Sequence, residues 1–128
     1  MTSEEWQDLM TLMSLVIFAD RKIYKEEVDT FVATIKQLNE TISPGMLMTE
    51  SMAFEWFKSN RDKVKNILVG PKVDQTLQNL IRRTRNIPGK PAIIAAMRNI
   101  AQADSDFHKS EHSVIRKAAD GWGVPYSD

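Results

Sequence analysis

The strongest constraint on this chain is that it repeats itself. Residues 19–27, Ala-Asp-Arg-Lys-Ile-Tyr-Lys-Glu-Glu, return at 103–111 as Ala-Asp-Ser-Asp-Phe-His-Lys-Ser-Glu, a constant offset of 84 residues. Ala19, Asp20, Lys25 and Glu27 coincide with Ala103, Asp104, Lys109 and Glu111. A single apolar residue, Ile23 or Phe107, holds the same place in each copy. The character continues downstream, with Phe31 opposite Ile115 and Leu38 opposite Trp122. Each copy reads as a helix ending in Ala-Asp, a loop closed by an apolar plug, and a second helix with Glu in its first turn. A carboxylate there suits the helix dipole.

The rest of the chain is helical in pattern as well. Thr2 with Glu5 has the form of a capping box, and Trp6, Leu9, Met10, Met13, Leu15 and Val16 follow near the helical period up to about Ala19. Val28, Phe31, Val32, Ile35 and Leu38 give a second stripe, punctuated by Asn39 and Ser43-Pro44-Gly45. Residues 46–59 predict a third helix, and Asn60 the cap of a short fourth one through Val69. Pro71 and Pro91 suit the first positions of two more. A last helix over 109–120 carries Val114, Ile115, Ala118 and then Trp122, with Gly121 and Gly123 as its stop. No segment alternates with a period of two. The expectation is an all-α fold of about seven helices, one domain over 1–128, with a pseudo-two-fold repeat of helix-loop-helix pairs.

Composition excludes several classes. With 42% hydrophobic and 27% charged residues, the chain is neither disordered, collagenous nor a coiled-coil rod. It has no cysteine, hence no disulfide, thiolate zinc site or thiol nucleophile. The first residues are acidic, unlike a secretory signal, and apolar runs such as Leu15 to Ala19 are far short of the ~20 residues that span a bilayer. These features fit a soluble or peripherally attached chain in a reducing compartment. The net charge of zero hides an asymmetry. Residues 1–60 carry five Lys/Arg and ten Asp/Glu, residues 61–98 nine and two, and residues 99–128 three and five. The middle is basic and its flanks acidic, which marks either a partner surface or mutual attraction of the two regions.

At its repeated residues the chain resembles the TerB-like family, the tellurite-resistance proteins and their relatives. Their signature A-x-A-D-G-x-I-x-x-x-E, often present twice, stands here as F-A-D-R-K-I-Y-K-E-E and Q-A-D-S-D-F-H-K-S-E. The second copy carries the similar tail I-R-K-A-A-D-G-W-G-V, and Arg21 and Ser105 replace the signature's Gly. The resemblance implies an all-helical, non-enzymatic accessory module of stress response. Its paired acidic residues would be ligands of a divalent cation, and its place cytoplasmic or peripheral at the inner membrane, with a protein partner or membrane-associated complex.

Asp20, Glu27, Asp104 and Glu111, with Asp106 as a spare in the second copy, are the residues such a cation would use. Four carboxylates brought together attract a hard ion such as calcium, magnesium or manganese. The alternative is a metal-free interaction or regulatory domain in which each Asp takes loop N–H groups and each Glu caps a helix. The spacing is not an EF-hand, since Glu111 falls at position 8 counted from Asp104. His108 and His112 are four apart but do not form a zincin motif, and read as surface residues. Arg82, Arg83, Arg85 and Lys90 form the densest basic cluster, read as a solvated face or a protein contact. Nucleic acid is disfavoured by the neutral chain and the lack of interleaved aromatics. Seven Met and three Trp at helical spacing read as core. Truncating the plug Phe107 to Ala should cost about 3–5 kcal/mol if it is fully buried, whereas a loss below about 1 kcal/mol in urea denaturation would place it at the surface.

Overall fold

The computed structural model describes residues 3–18, 25–42, 48–102 and 109–126, with side chains placed for 3–15, 28–40, 48–99 and 113–126. These residues form six helices and no strand: α1 (Ser3–Phe18), α2 (Lys25–Ile42), α3 (Glu50–Val69), α4 (Val73–Arg83), α5 (Lys90–Gln102) and α6 (Lys109–Trp122). The all-helical expectation holds, with one helix fewer. The difference lies at Asn60, which is not a cap. Its side-chain amide donates to the Trp56 carbonyl 2.8 Å away, one turn back, and no Pro or Gly interrupts the chain before Gly70. The expected third and fourth helices are therefore one. That helix starts at Thr49, whose hydroxyl accepts from the Met52 N–H at 3.1 Å, as an N-cap does at its third helical residue.

α1 is the centre of the molecule and contacts each of the other five helices. An amphipathic stripe would leave one face in water, yet every residue from Leu9 to Leu15 is buried. Two of these are polar, and both satisfy themselves locally. Thr11 Oγ1 donates to the Gln7 carbonyl and Ser14 Oγ to the Met10 carbonyl, each at 2.8 Å. Around α1 the core gathers Phe31 and Ile35 from α2, Phe57 from α3, Leu77 and Leu80 from α4, Ile93 and Met97 from α5, and Ile115 and Trp122 from α6. The Phe31 and Phe57 rings meet at a centroid distance of 5.6 Å. Most of the Met and Trp residues are core as expected, but Met52 and Phe54 of α3 face outward, nearly half exposed.

α6 ends differently from the expectation. Gly121 lies inside the helix, and a Cβ there would stand 2.3 Å from Ile81 Cγ2. The residue is glycine because α4 passes against the α6 backbone. The stop is Gly123 alone, with φ of +70°. Its N–H bonds the Asp120 carbonyl and the Val124 N–H bonds that of Ala119, the Schellman arrangement. One residue earlier, the Trp122 indole N–H reaches across to α4, 3.2 Å from both the Ile81 carbonyl and Thr84 Oγ1. The Thr84 hydroxyl lies 2.7 Å from the Leu80 carbonyl. Both carbonyls belong to the last turn of α4, where backbone donors run out: Leu80 still takes the Thr84 N–H at 3.1 Å, and Ile81 takes the indole together with the Thr84 hydroxyl at 3.2 Å. Trp122 thus caps a helix other than its own, in a site where Thr84 is fully buried.

Two expectations follow for chemical denaturation. Gly121→Ala should destabilise by about 1–3 kcal/mol through overpacking against Ile81. Trp122→Phe should cost about 1–3 kcal/mol because it leaves buried acceptors unpaired. Wild-type stability in either variant would show that α4 and α6 are not locked together as described.

Candidate functional site

The acidic repeat places its members unevenly with respect to the described structure. Asp20, Asp104 and Asp106, and the plugs Ile23 and Phe107, lie outside the described residues, as do Thr2 and His108. Glu27 falls in the first turn of α2 and Glu111 in the first turn of α6. Their side chains, like that of His112, are outside the description. Among the described residues no group of three or more His, Cys, Asp or Glu stands together.

The helices that carry these loops are described, and they hold the repeat further than the sequence motif reaches. α1 ends at Phe18 and α5 at Gln102, and α2 starts at Lys25 and α6 at Lys109, each pair 84 residues apart. Burial follows the same offset. In the first helix of each pair, Leu9, Met10, Leu12 and Met13 are buried, and so are Ile93, Ile94, Ala96 and Met97. In the second helix, Phe31, Ile35 and Leu38 are buried, and so are Ile115, Ala119 and Trp122. Ala33 and Lys36 face out where Lys117 and Asp120 do. The helices α1, α2, α5 and α6 pack on one another. Sequence comparison within the chain missed the α1–α5 half of this register, because Leu-Met-Thr-Leu-Met and Ile-Ile-Ala-Ala-Met share a shape but only one identity.

The basic segment separates into different roles. Arg83 makes a two-bond contact with Asp8 of α1, Nε to Oδ2 at 3.1 Å and a terminal nitrogen to Oδ1 at 3.2 Å. Lys90 donates to the Arg85 carbonyl at 2.8 Å, tying the turn between α4 and α5. Arg82 donates to the neutral Asn79 side chain at 2.9 Å, and Arg85 has no ion pair among the described residues. The cluster is therefore not a single solvated face. Arg83 joins the basic middle to the acidic first helix, and Arg82 and Arg85 share another side. There they flank an open groove of about 370 Å³ between α4 and α6. Its floor is Ile81 and Gly121, and Lys117 and Asp120 form the α6 wall. The Lys117 ammonium also reaches Asp74 at 3.0 Å. Sequence reasoning missed this groove because Gly121 read as a helix stop rather than as a floor.

A third place joins the chain's end to α5. The Arg98 guanidinium lies 5.6 Å from the Tyr126 ring centroid. Burial pushes the Tyr126 phenol above its ordinary range, and the Arg98 and Arg116 charges pull it partly back. No helix among the described residues is long and apolar enough to cross a membrane.

In a comparison with protein-family models, residues 7–128 match the one described as tellurite resistance protein TerB. No curated protein and no solved structure matches the chain.

The Asp8–Arg83 contact has side-chain exposures of 25% and 55%, so solvent screens it. A double-mutant cycle on Asp8→Ala and Arg83→Ala should return a coupling of about 0.2–1 kcal/mol, shrinking in high salt. No coupling at low salt would remove Arg83 from the structural ties.

Proposed function

Because the chain belongs to the tellurite resistance protein TerB family, we propose that it is a non-enzymatic accessory module of a stress response. In this reading it holds a divalent cation, calcium, magnesium or manganese, through Asp20, Glu27, Asp104, Asp106 and Glu111, and it serves a protein partner or a membrane-associated complex. The observation that carries the reading is the common register of the two helix pairs. Two hairpins that bury seven corresponding positions at one offset carry their acidic connections at corresponding places in the chain. Carboxylates that face one another repel, which raises some of their pKa values and costs stability. A hard cation relieves that cost with the oxygen ligands it prefers.

A second reading has its own support. Glu27 and Glu111 stand in first helical turns, where a carboxylate is stabilised by the helix dipole without any ion. The domain is then a metal-free interaction module.

Thermal melting divides the two. Under the first reading, calcium, magnesium or manganese at 100 times its dissociation constant stabilises the fold by about 2.7 kcal/mol. Glu27→Gln with Glu111→Gln should abolish that gain. If none of the three ions moves the melting temperature at neutral pH and low salt, the capping reading replaces it.

A further inference from the structure

The groove between α4 and α6 is independent of the acidic loops and has a chemistry of its own. Its floor is apolar, formed by Ile81 and by Gly121, where the absence of a side chain lets the α6 backbone approach α4. Its rim is cationic. Arg82 donates to a neutral amide, neither it nor Arg85 has an ion pair among the described residues, and Lys117 shares its charge with the exposed Asp74. A volume of about 370 Å³ lies toward the lower end of the ~300–1,000 Å³ that holds compact ligands.

We propose that this groove docks an acidic segment of a partner protein, in which one apolar side chain is flanked by carboxylates. Charge complementarity fixes the class of occupant. The Arg82 and Arg85 guanidiniums present planar forks that match carboxylates, and the floor between them takes an apolar side chain out of water. Phosphate polyanions fit less well. Asp120 lines the same groove and repels any anion beside it, but a peptide also brings backbone N–H groups that its carboxylate can accept, and a phosphate offers none. The lining also has no aromatic ring on which a base could stack.

The test is an NMR titration of the whole chain, ¹⁵N-labelled, with the acetylated peptide Gly-Asp-Glu-Leu-Asp-Glu-Gly. Amide shifts should concentrate at Arg82, Arg85, Lys117 and Gly121. Replacing the central Leu by Gly should weaken binding several-fold. Arg82→Glu with Arg85→Glu should weaken it at least about tenfold and leave the melting temperature close to wild type, since neither side chain holds an ion pair among the described residues. The charge-matched control Lys58→Glu with Lys65→Glu on α3 should bind as wild type. Shifts scattered over the surface, equal binding of the Gly-centred peptide, or equal losses in both double variants would overturn the proposal. So would a stronger response to phosphatidylglycerol vesicles than to the peptide, or sedimentation showing self-association that the groove variant abolishes, because each assigns the groove to a different occupant.

Discussion

α1 touches five other helices and between Leu9 and Leu15 has no face left for water, and the architecture follows from that constraint. Its seven consecutive buried residues, 9–15, need cover on every side. The repeat supplies it with α2 on its own hairpin and the α5–α6 hairpin beyond, while α3 and α4 close the remaining directions. Complete burial also restricts what polar chemistry α1 can carry. Thr11 and Ser14 are admissible because a hydroxyl can turn back onto the carbonyl four residues earlier; a longer polar side chain would find no partner there. Asp8 and Gln7 stand just before that zone, and Asp8 uses its partial exposure to reach Arg83.

The two helix pairs are alike in register but not in surroundings. α1 buries Thr11 and Leu15 where α5 exposes Ala95 and Asn99. One member of the duplicated pair has become the core and the other remains a covering helix. α3 and α4 stand between the two pairs in the chain, and they are what converts two hairpins into a closed bundle. The lock of that closure is polar. Trp122, at the repeat position of the wholly apolar Leu38, supplies an indole N–H that finishes the end of α4. Bulk alone would fill the space, but it would take the indole donor away from the Ile81 carbonyl and the Thr84 hydroxyl.

The helical class and the duplicated hairpin were legible in the sequence, because a period near 3.6 and a constant offset are both one-dimensional signals. The merger at Asn60 was not, since an amide that caps a helix and one that bonds back within it are the same residue type. The all-round burial of α1 was hidden for a related reason. Thr11 and Ser14 look like a polar face until their acceptors are known. Of the candidate cation ligands, the sequence indicates the pairing, but three of the five, Asp20, Asp104 and Asp106, fall outside the described residues. The basic cluster was visible as a run, yet its division is three-dimensional. Arg82 and Arg85 are three apart and share a side, whereas Arg83 is turned about 100° from Arg82 by the helix itself and meets Asp8 instead. Gly121 carried no usable signal, since its reason is a neighbour 40 positions earlier.

The central place of α1 also sets an order of events at the ribosome. α1 precedes the other five helices in the chain, and two of them, α5 and α6, are made only after α2, α3 and α4. At about 5–20 residues per second, its apolar surface waits seconds for cover. Nascent chains that expose such surface are the ones that holdase factors bind and that aggregate when those factors are short. A nascent chain that has not yet reached Trp122 has one side of α1 without its α6 cover and the end of α4 without its indole donor, so the core closes only once α6 is made.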